Sequence, residues 1–294
     1  MAEDFPKFSK DLQVLTKVRL NIFVLITTLF GFVLAAKGEG GMDGKWWLLL
    51  HTLIGTAAAA FGSAAFNQLM EIEDDARMKR TADRPLPSKR MGVTKAFVIG
   101  WGLAAFGCIH LAAKVNAVAA ILAGATIGVY VFVYTPMKKW HSTNTLVGAI
   151  PGAIPPMIGW VGAGGSSIDV GAWFLFALLF FWQLPHFVAI SWLCREEYEE
   201  AGYQMWSNGD VSGVKTARLF NVFSLLMIFL GGVGAFCGLY PYWIGGVHAL
   251  IVLVMMKPAL SYGPEADRQT MRKAFFGTLF YLPIVLVGLA FTWS

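Results

Sequence analysis

The chain has 294 residues, of which 56% are hydrophobic and only 14% charged, with a formal net charge of +5. A mean hydropathy of +0.60 is far too high for an ordinary water-soluble domain and places the protein in a bilayer. The basic balance does not argue for nucleic-acid binding, because the cations collect on one membrane face.

Apolar stretches near the roughly 20 residues needed to cross the hydrocarbon recur at 19–36, 46–66, 96–113, 116–134, 144–163, 170–193, 218–239, 244–257 and 274–293. They predict an all-α integral membrane protein with nine transmembrane helices, eight being the alternative count. The fifth span, with Pro151, Pro155 and Pro156, and the short eighth carry the weakest signals. The first 18 residues are polar and no cleavage site is evident, so the first helix is expected to stay. Cytoplasmic flanks collect Lys and Arg. With the N-terminus inside, 20 of the 23 cations fall inside, and only Lys37, Lys45 and Lys114 lie outside. This partition predicts a cytoplasmic N-terminus and an outside C-terminus, with cytoplasmic loops at about 67–95, 135–143 and 194–217. Residues 1–294 read as a single membrane-embedded domain. Cys108, Cys194 and Cys237 are widely separated, so neither a disulfide framework nor a CxxC metal site is expected.

The first of these loops opens with NQLMEIEDDARMKRTADRP, residues 67–85. At helical spacing Asn67, Glu71 and Asp75 fall at i, i+4 and i+8, forming one stripe of oxygen ligands suited to a hard divalent cation. Arg77, Lys79, Arg80 and Arg84 stand just behind it, so a magnesium-bound diphosphate could be held through the metal and by cations directly. Such residues could also be a merely solvated juxtamembrane face. An amide at membrane level that needs a partner, two carboxylates continuing its stripe and the cation run favour a functional site. Glu73 and Asp74 lie on other faces and are expected to be solvated.

The second loop region, YTPMKKWHSTNTLVGAIPGAIPPMIGW at 134–160, offers Lys138 and Lys139, either substrate contacts or inside-positive anchors. Asn144, Gly148 and Gly152 repeat every four residues, and small residues on one face let helices approach closely. The prolines that follow predict a broken helix, which in a membrane lines a protein-enclosed cavity. The third, WQLPHFVAISWLCREEYEEAG at 182–202, places Gln183, Pro185 and His186 inside a span and Arg195, Glu196, Glu197 and Tyr198 at its cytoplasmic end. His186 is a candidate site residue because Pro185 frees backbone groups at membrane depth; a satisfied packing histidine is the alternative.

These residues together resemble the UbiA superfamily of intramembrane prenyltransferases. The resemblance rests on the Asn-x-x-x-acid-x-x-x-Asp motif at Asn67, Glu71 and Asp75, MKRTADRPLPS at 78–88, YTPMKKW with NTLVGAIPGAIPPMIGW, and WQLPHF followed by EEYEEAG. PPMIGW and WQLPHF are similar to the haem-modifying branch. The resemblance implies a nine-helix bundle around a central cavity. It also implies magnesium-assisted transfer of a farnesyl group from farnesyl diphosphate to a vinyl group of haem B, with addition of water. By the same likeness Asn67, Glu71 and Asp75 would bind diphosphate through magnesium, Arg77, Lys79, Arg80, Arg84, Lys138 and Lys139 would neutralise it, and Glu197 would belong to a second acidic, metal-binding motif. Asn144, Arg195 and Tyr198 would join the substrate-binding set, and His186 would face the haem as an axial ligand. A bacterial inner membrane is the implied location, and a haem A synthase or terminal-oxidase assembly factors are the implied partners. Two departures stand out: Glu replaces the usual Asp at Glu71 and Glu197, and YQMWSNGD follows Gly202 where relatives carry a Pro-Met-Leu-Pro type segment.

An allylic diphosphate leaves as its carbon becomes positive, so preplaced cations lower the barrier and an apolar cavity must exclude bulk water. Rival readings are a prenyltransferase for another acceptor, a quinone precursor or tetrapyrrole, and a non-enzymatic haem-binding membrane protein or transporter. Clustered carboxylates beside cations on one side only favour the enzyme.

Overall fold

The computed structural model describes residues 4–38, 40–261 and 267–293, and these are helical with no strand among them. A short helix α1 (Asp4–Leu15) leads into α2 (Val18–Gly38) and α3 (Trp46–Met70). Beyond α4 (Ile72–Arg77) come α5 (Val93–Lys114) and α6 (Ala117–Gly128), which runs through a π-helical turn at Val129–Tyr134 into α7 (Thr135–Met137). Then follow α8 (Asn144–Ala153), α9 (Pro155–Gly162), α10 (Val170–Leu193), α11 (Arg195–Glu200), α12 (Val214–Phe236), α13 (Tyr242–Leu260) and α14 (Arg268–Thr292). Among the described residues nine spans are long and apolar enough to cross a membrane, with α6 to α7 counting as one and α8 to α9 as another. The expected count of nine holds, and the eighth span is longer than the sequence pattern suggests because Pro258 is tolerated in its last turn.

The fifth span is broken as its prolines predict. Pro155 occupies the first turn of α9, where its missing N–H costs no hydrogen bond. The break sits at Ile154 in the most buried of the nine spans, enclosed by protein as a membrane requires of irregular backbone. The small residues before it work differently from expectation. A Cβ on Gly148 would meet the Tyr134 ring at 2.5 Å, and one on Gly152 would meet Gln183 Oε1 at 1.9 Å. The stripe therefore receives side chains from two neighbouring elements instead of another helix backbone.

Backbone-to-backbone approach occurs elsewhere. A Cβ on Gly31 of α2 would lie 2.0 Å from the Pro156 carbonyl oxygen, and one on Gly159 of α9 would lie 1.9 Å from that of Thr28. Along α3 and α5, Gly62 faces the backbone of Gly100 and Ala104, and Gly107 faces Gly55 and Ala59. Lipid chains are as apolar as leucine, so close van der Waals contact between small residues is what associates such helices. The main core joins α2, α8, α9, α10 and α12 to α14 through residues such as Phe32, Leu175, Phe220 and Tyr281. Leucine, phenylalanine and tryptophan side chains such as Trp101, Phe229 and Phe291 remain outward, as a bilayer-facing surface allows. Trp46, Trp47 and Trp243 stand exposed at helix starts, where interfacial aromatics anchor spans.

These contacts predict that Gly31→Ala lowers the thermal unfolding midpoint in detergent, since overpacking a close contact costs about 1–3 kcal/mol. Gly124→Ala, where an added Cβ meets nothing within 4 Å, is expected to leave the midpoint unchanged or raise it slightly. Equal midpoints for the two variants would count against the α2–α9 backbone contact as a determinant of stability.

Candidate active site

The last turn of α3 places Asn67 at the end of the bundle near the N-terminus, fully buried. Its amide nitrogen donates to Thr135 Oγ1 at 3.0 Å, and its Oδ1 accepts from Lys17 Nζ at 2.5 Å. The expected ligand stripe does not lie on one unbroken helix. α3 ends at Met70, and Glu71 takes a non-helical conformation before α4 begins. Yet Glu71 N–H still donates to Asn67 O at 3.1 Å and Asp75 N–H to Glu71 O at 2.7 Å, so the four-residue register survives the kink.

Each acid of the stripe meets its own cation. Lys138 Nζ lies 2.6 Å from Glu71 Oε1, and Arg84 Nη1 lies 2.6 Å from Asp75 Oδ2. Asp74 corrects the expectation that it would be solvated: it is buried and bridged by Lys139 Nζ at 2.9 Å. Isolated charges could not be buried here; pairing and hydrogen bonding make it tolerable. Burial opposes the charge on Glu71, but Lys138 and Lys17 outweigh it and hold this carboxyl below the usual carboxylate range. At Asp75 burial prevails over the Arg84 guanidinium and pushes the carboxyl up. Burial also works against the Lys138 ammonium, but Glu71 and the surrounding tyrosines raise it well above an ordinary lysine. The rings of Tyr134 and Tyr203 lie 4.8 and 5.5 Å from Lys138 Nζ, adding cation–π attraction.

The remaining candidates are distributed unevenly. Arg80 and Tyr198 form a second group, with the guanidinium 5.8 Å from the ring, and Arg80 N–H donates to Glu197 Oε2 at 3.4 Å. The Tyr198 and Tyr203 rings, 6.0 Å apart, join this group to the first. Arg77 and Lys79 are exposed and not gathered in. Arg195 lies over Trp192 at 4.7 Å and bridges Glu196, away from the cluster. Among the described residues no group of three or more His, Cys, Asp or Glu residues is close enough to hold a metal, so Glu197 does not join Glu71 and Asp75. Asn144 serves as a latch: its amide nitrogen donates to Gln204 O at 2.6 Å and His141 O at 2.8 Å, while Gln204 N–H donates to Lys138 O at 2.6 Å. His186 is separate again, on the α10–α14 seam, with Nδ1 2.8 Å from Thr278 Oγ1 and its ring stacked on Phe275. It does not resatisfy the backbone freed by Pro185.

Sequence reasoning missed Lys17, Tyr130, Tyr134, Thr135 and Tyr203. Lys17 counted only as an inside-positive charge. It occupies a left-handed conformation (φ 48°) between α1 and α2, turning its ammonium toward Asn67 and Tyr130. Burial pulls its pKa down to about 7, with Glu71 opposing. The π-turn supplies Tyr130 and Tyr134, four residues apart with rings at 5.5 Å; such turns recur at functional sites. Below the charged cluster is an apolar crevice lined by Val24, Thr56, Ala60, Ala123, Ile127 and Ile158. Val24 and Ala60 are each seven residues from Lys17 and Asn67, about 10 Å deeper along their helices.

A buried charged cluster beside an apolar crevice suits an amphiphile with an anionic head. The UbiA prenyltransferase family model matches residues 24–280. The mitochondrial protoheme IX farnesyltransferase of Arabidopsis thaliana is 38% identical over 94% of this chain, which spans 63% of the plant protein's length. The protoheme IX farnesyltransferase of Opitutus terrae is 38% identical over 96% of this chain and 94% of its own. Among solved structures, a digeranylgeranylglyceryl phosphate synthase has a similar fold, with a TM-score of 0.78 at 16% identity over 96% of this chain and 97% of that one. A UbiA homologue from Archaeoglobus fulgidus bound to GPP and Mg2+ gives 0.69 at 12% identity, covering 96% of this chain and 100% of that one. With the family model covering most of the chain and relatives matching at this identity over nearly all of it, the chain belongs to the UbiA prenyltransferase family.

Proposed function

We propose that this membrane prenyltransferase transfers the farnesyl group of farnesyl diphosphate to a vinyl group of haem B, with addition of water, giving haem O and diphosphate. The observation that carries the reading is the buried set of acids, each matched to a cation, above an apolar crevice. The name shared by relatives at 38% identity supports haem as acceptor. The whole chain acts as one membrane domain in a bacterial cytoplasmic membrane, with its N-terminus and charged cluster on the cytoplasmic side and its C-terminus outside. The skew of cations toward the loops at that end supports this orientation.

Asn67, Glu71 and Asp75 would hold magnesium. Their hard oxygen donors suit it, and Asp75 Oδ1 is a buried acceptor with no hydrogen-bond partner among the described residues. Magnesium, when bound, supplies positive charge to the diphosphate oxygens as the carbon–oxygen bond breaks. Lys17, Arg84, Lys138 and Lys139 then turn from their carboxylate or amide partners to the diphosphate, while Arg80 approaches from the Tyr198 side. The departing diphosphate takes the bonding electron pair. The vinyl π electrons of haem attack the farnesyl C1, and water adds to the resulting cation beside the ring and loses a proton. The crevice, deeper in the bundle, would take the apolar farnesyl tail, and water must be kept from the allylic cation above it. His186, on the α10–α14 seam, faces the haem iron. Arg268, seven residues before Phe275 on α14 and about 10 Å toward the charged end, lies where a haem propionate can reach.

The decisive experiment incubates purified protein with haem B, farnesyl diphosphate and magnesium and resolves the haems by mass. A product heavier by one farnesyl group and one water is expected, and prenylation of other acceptors with haem untouched would overturn the haem assignment. Glu71→Ala with Asp75→Ala is expected to lower turnover by about 10²-fold or more, the scale seen when preplaced charge stabilisation is removed. Chelation of magnesium should abolish turnover reversibly. With burial pulling its pKa down to about 7, Lys17 is mostly neutral at pH 8, and a bound diphosphate favours its ammonium form. Binding at pH 8 should therefore take up a proton, seen as buffer-dependent heat in calorimetry and absent in Lys17→Met.

A further inference from the structure

Two side chains of α10, one turn apart, converge on a single residue of α14. Trp182 Nε1–H donates to the Thr278 carbonyl oxygen at 2.7 Å, and His186 Nδ1 lies 2.8 Å from Thr278 Oγ1. Thr278 is fully buried, and its hydroxyl donates to the Phe275 carbonyl oxygen at 2.5 Å. A hydroxyl has one proton to give. With that proton committed to Phe275, Thr278 Oγ1 is left as an acceptor, so His186 must donate from Nδ1–H. The neutral ring then carries its free lone pair on Nε2, which makes no hydrogen bond among the described residues. Phe275, stacked at 4.7 Å, and Trp182, stacked at 5.5 Å, fix the ring plane.

We propose that Thr278 is a positioning residue that holds His186 in the Nδ1–H tautomer and so presents Nε2 as a ligand to the iron of the haem substrate. The inference rests on the reading above that His186 faces the haem. It adds the residue that makes the imidazole competent, since the opposite tautomer would carry a proton where the iron must bind. Partners of this kind, which hydrogen-bond the distal nitrogen of a ligating histidine, typically change metal affinity by 10–100-fold when removed.

The test titrates ferric haem B into the detergent-solubilised full chain without farnesyl diphosphate, following the visible spectrum of imidazole ligation. The variants are His186→Ala, Thr278→Val, Thr278→Ala and Thr278→Ser, each checked for a wild-type unfolding midpoint. The expected result is loss of the imidazole signature in His186→Ala. Affinity should be about 10-fold weaker, with a reduced imidazole signature, in whichever of Thr278→Val and Thr278→Ala stays folded. Near-normal binding should return in Thr278→Ser, which keeps the acceptor. If His186→Ala loses the signature while Thr278→Val and Thr278→Ala bind as wild type does, the role of Thr278 is overturned and the iron contact stands. If His186→Ala keeps the signature, the iron contact itself fails, and the inference falls with it.

Discussion

The arrangement of the whole charged end follows from the need to neutralise buried carboxylates at the edge of a bilayer. Glu71, Asp74 and Asp75 all have little access to water, and a carboxylate in that position survives only with a matched cation. The chain supplies those cations from separate places: Lys138 and Lys139 from the turn after the fourth span, and Arg84 from the loop that follows the acids themselves. Lys17, at the junction of α1 and α2, adds a contact to the Asn67 amide. Charge pairing thereby sets how the ends of α2, α3 and α6 to α7 meet. The same pairing gathers Arg84, Lys138 and Lys139 at one end of the bundle.

Away from that end the molecule is held by shape. Gly31 against Pro156 and Gly159 against Thr28 bring α2 and α9 to backbone contact. Gln183 fills the space left at Gly152 and donates to the Ala149 and Leu179 carbonyl oxygens. A polar side chain with its donors satisfied by backbone carbonyls is the form in which a membrane interior accepts an amide. The broken span formed by α8 and α9 is the most buried of the nine and presents Pro155 and Ile158 to the apolar crevice.

Much of this was legible in the residue order. Nine apolar runs gave the spans, because lipid imposes a length that a hydropathy pattern records directly. The four-residue spacing of Asn67, Glu71 and Asp75 located the polar floor, and the register held even though the helix kinks at Glu71. What escaped notice depended on contacts between distant elements. Nothing local distinguishes Lys17 from an interfacial anchor, and only folding brings it to Asn67, 50 residues away. Asp74 looked solvated by its position on the wheel, and the 138–139 turn covers that face. Nothing in the residue order marks Tyr130 and Tyr134, which a π-turn brings to Lys17 and Lys138. His186 gave a signal through its setting beside Pro185, but its partner on α14 lies 92 residues further along.

The Asn144 latch has a mechanical corollary. The stretch bearing Tyr203 and Gln204 is stitched twice to the turn that carries Lys138, once through Gln204 N–H to the Lys138 carbonyl and once through Gln204 O to Asn144. The Tyr203–Gln204 stretch and the backbone of the Lys138 turn are thereby tied together at the end of the bundle that carries the buried acids. Loss of the Asn144 amide would therefore remove one of two ties on the segment that also holds the Tyr203 ring 5.5 Å from Lys138 Nζ.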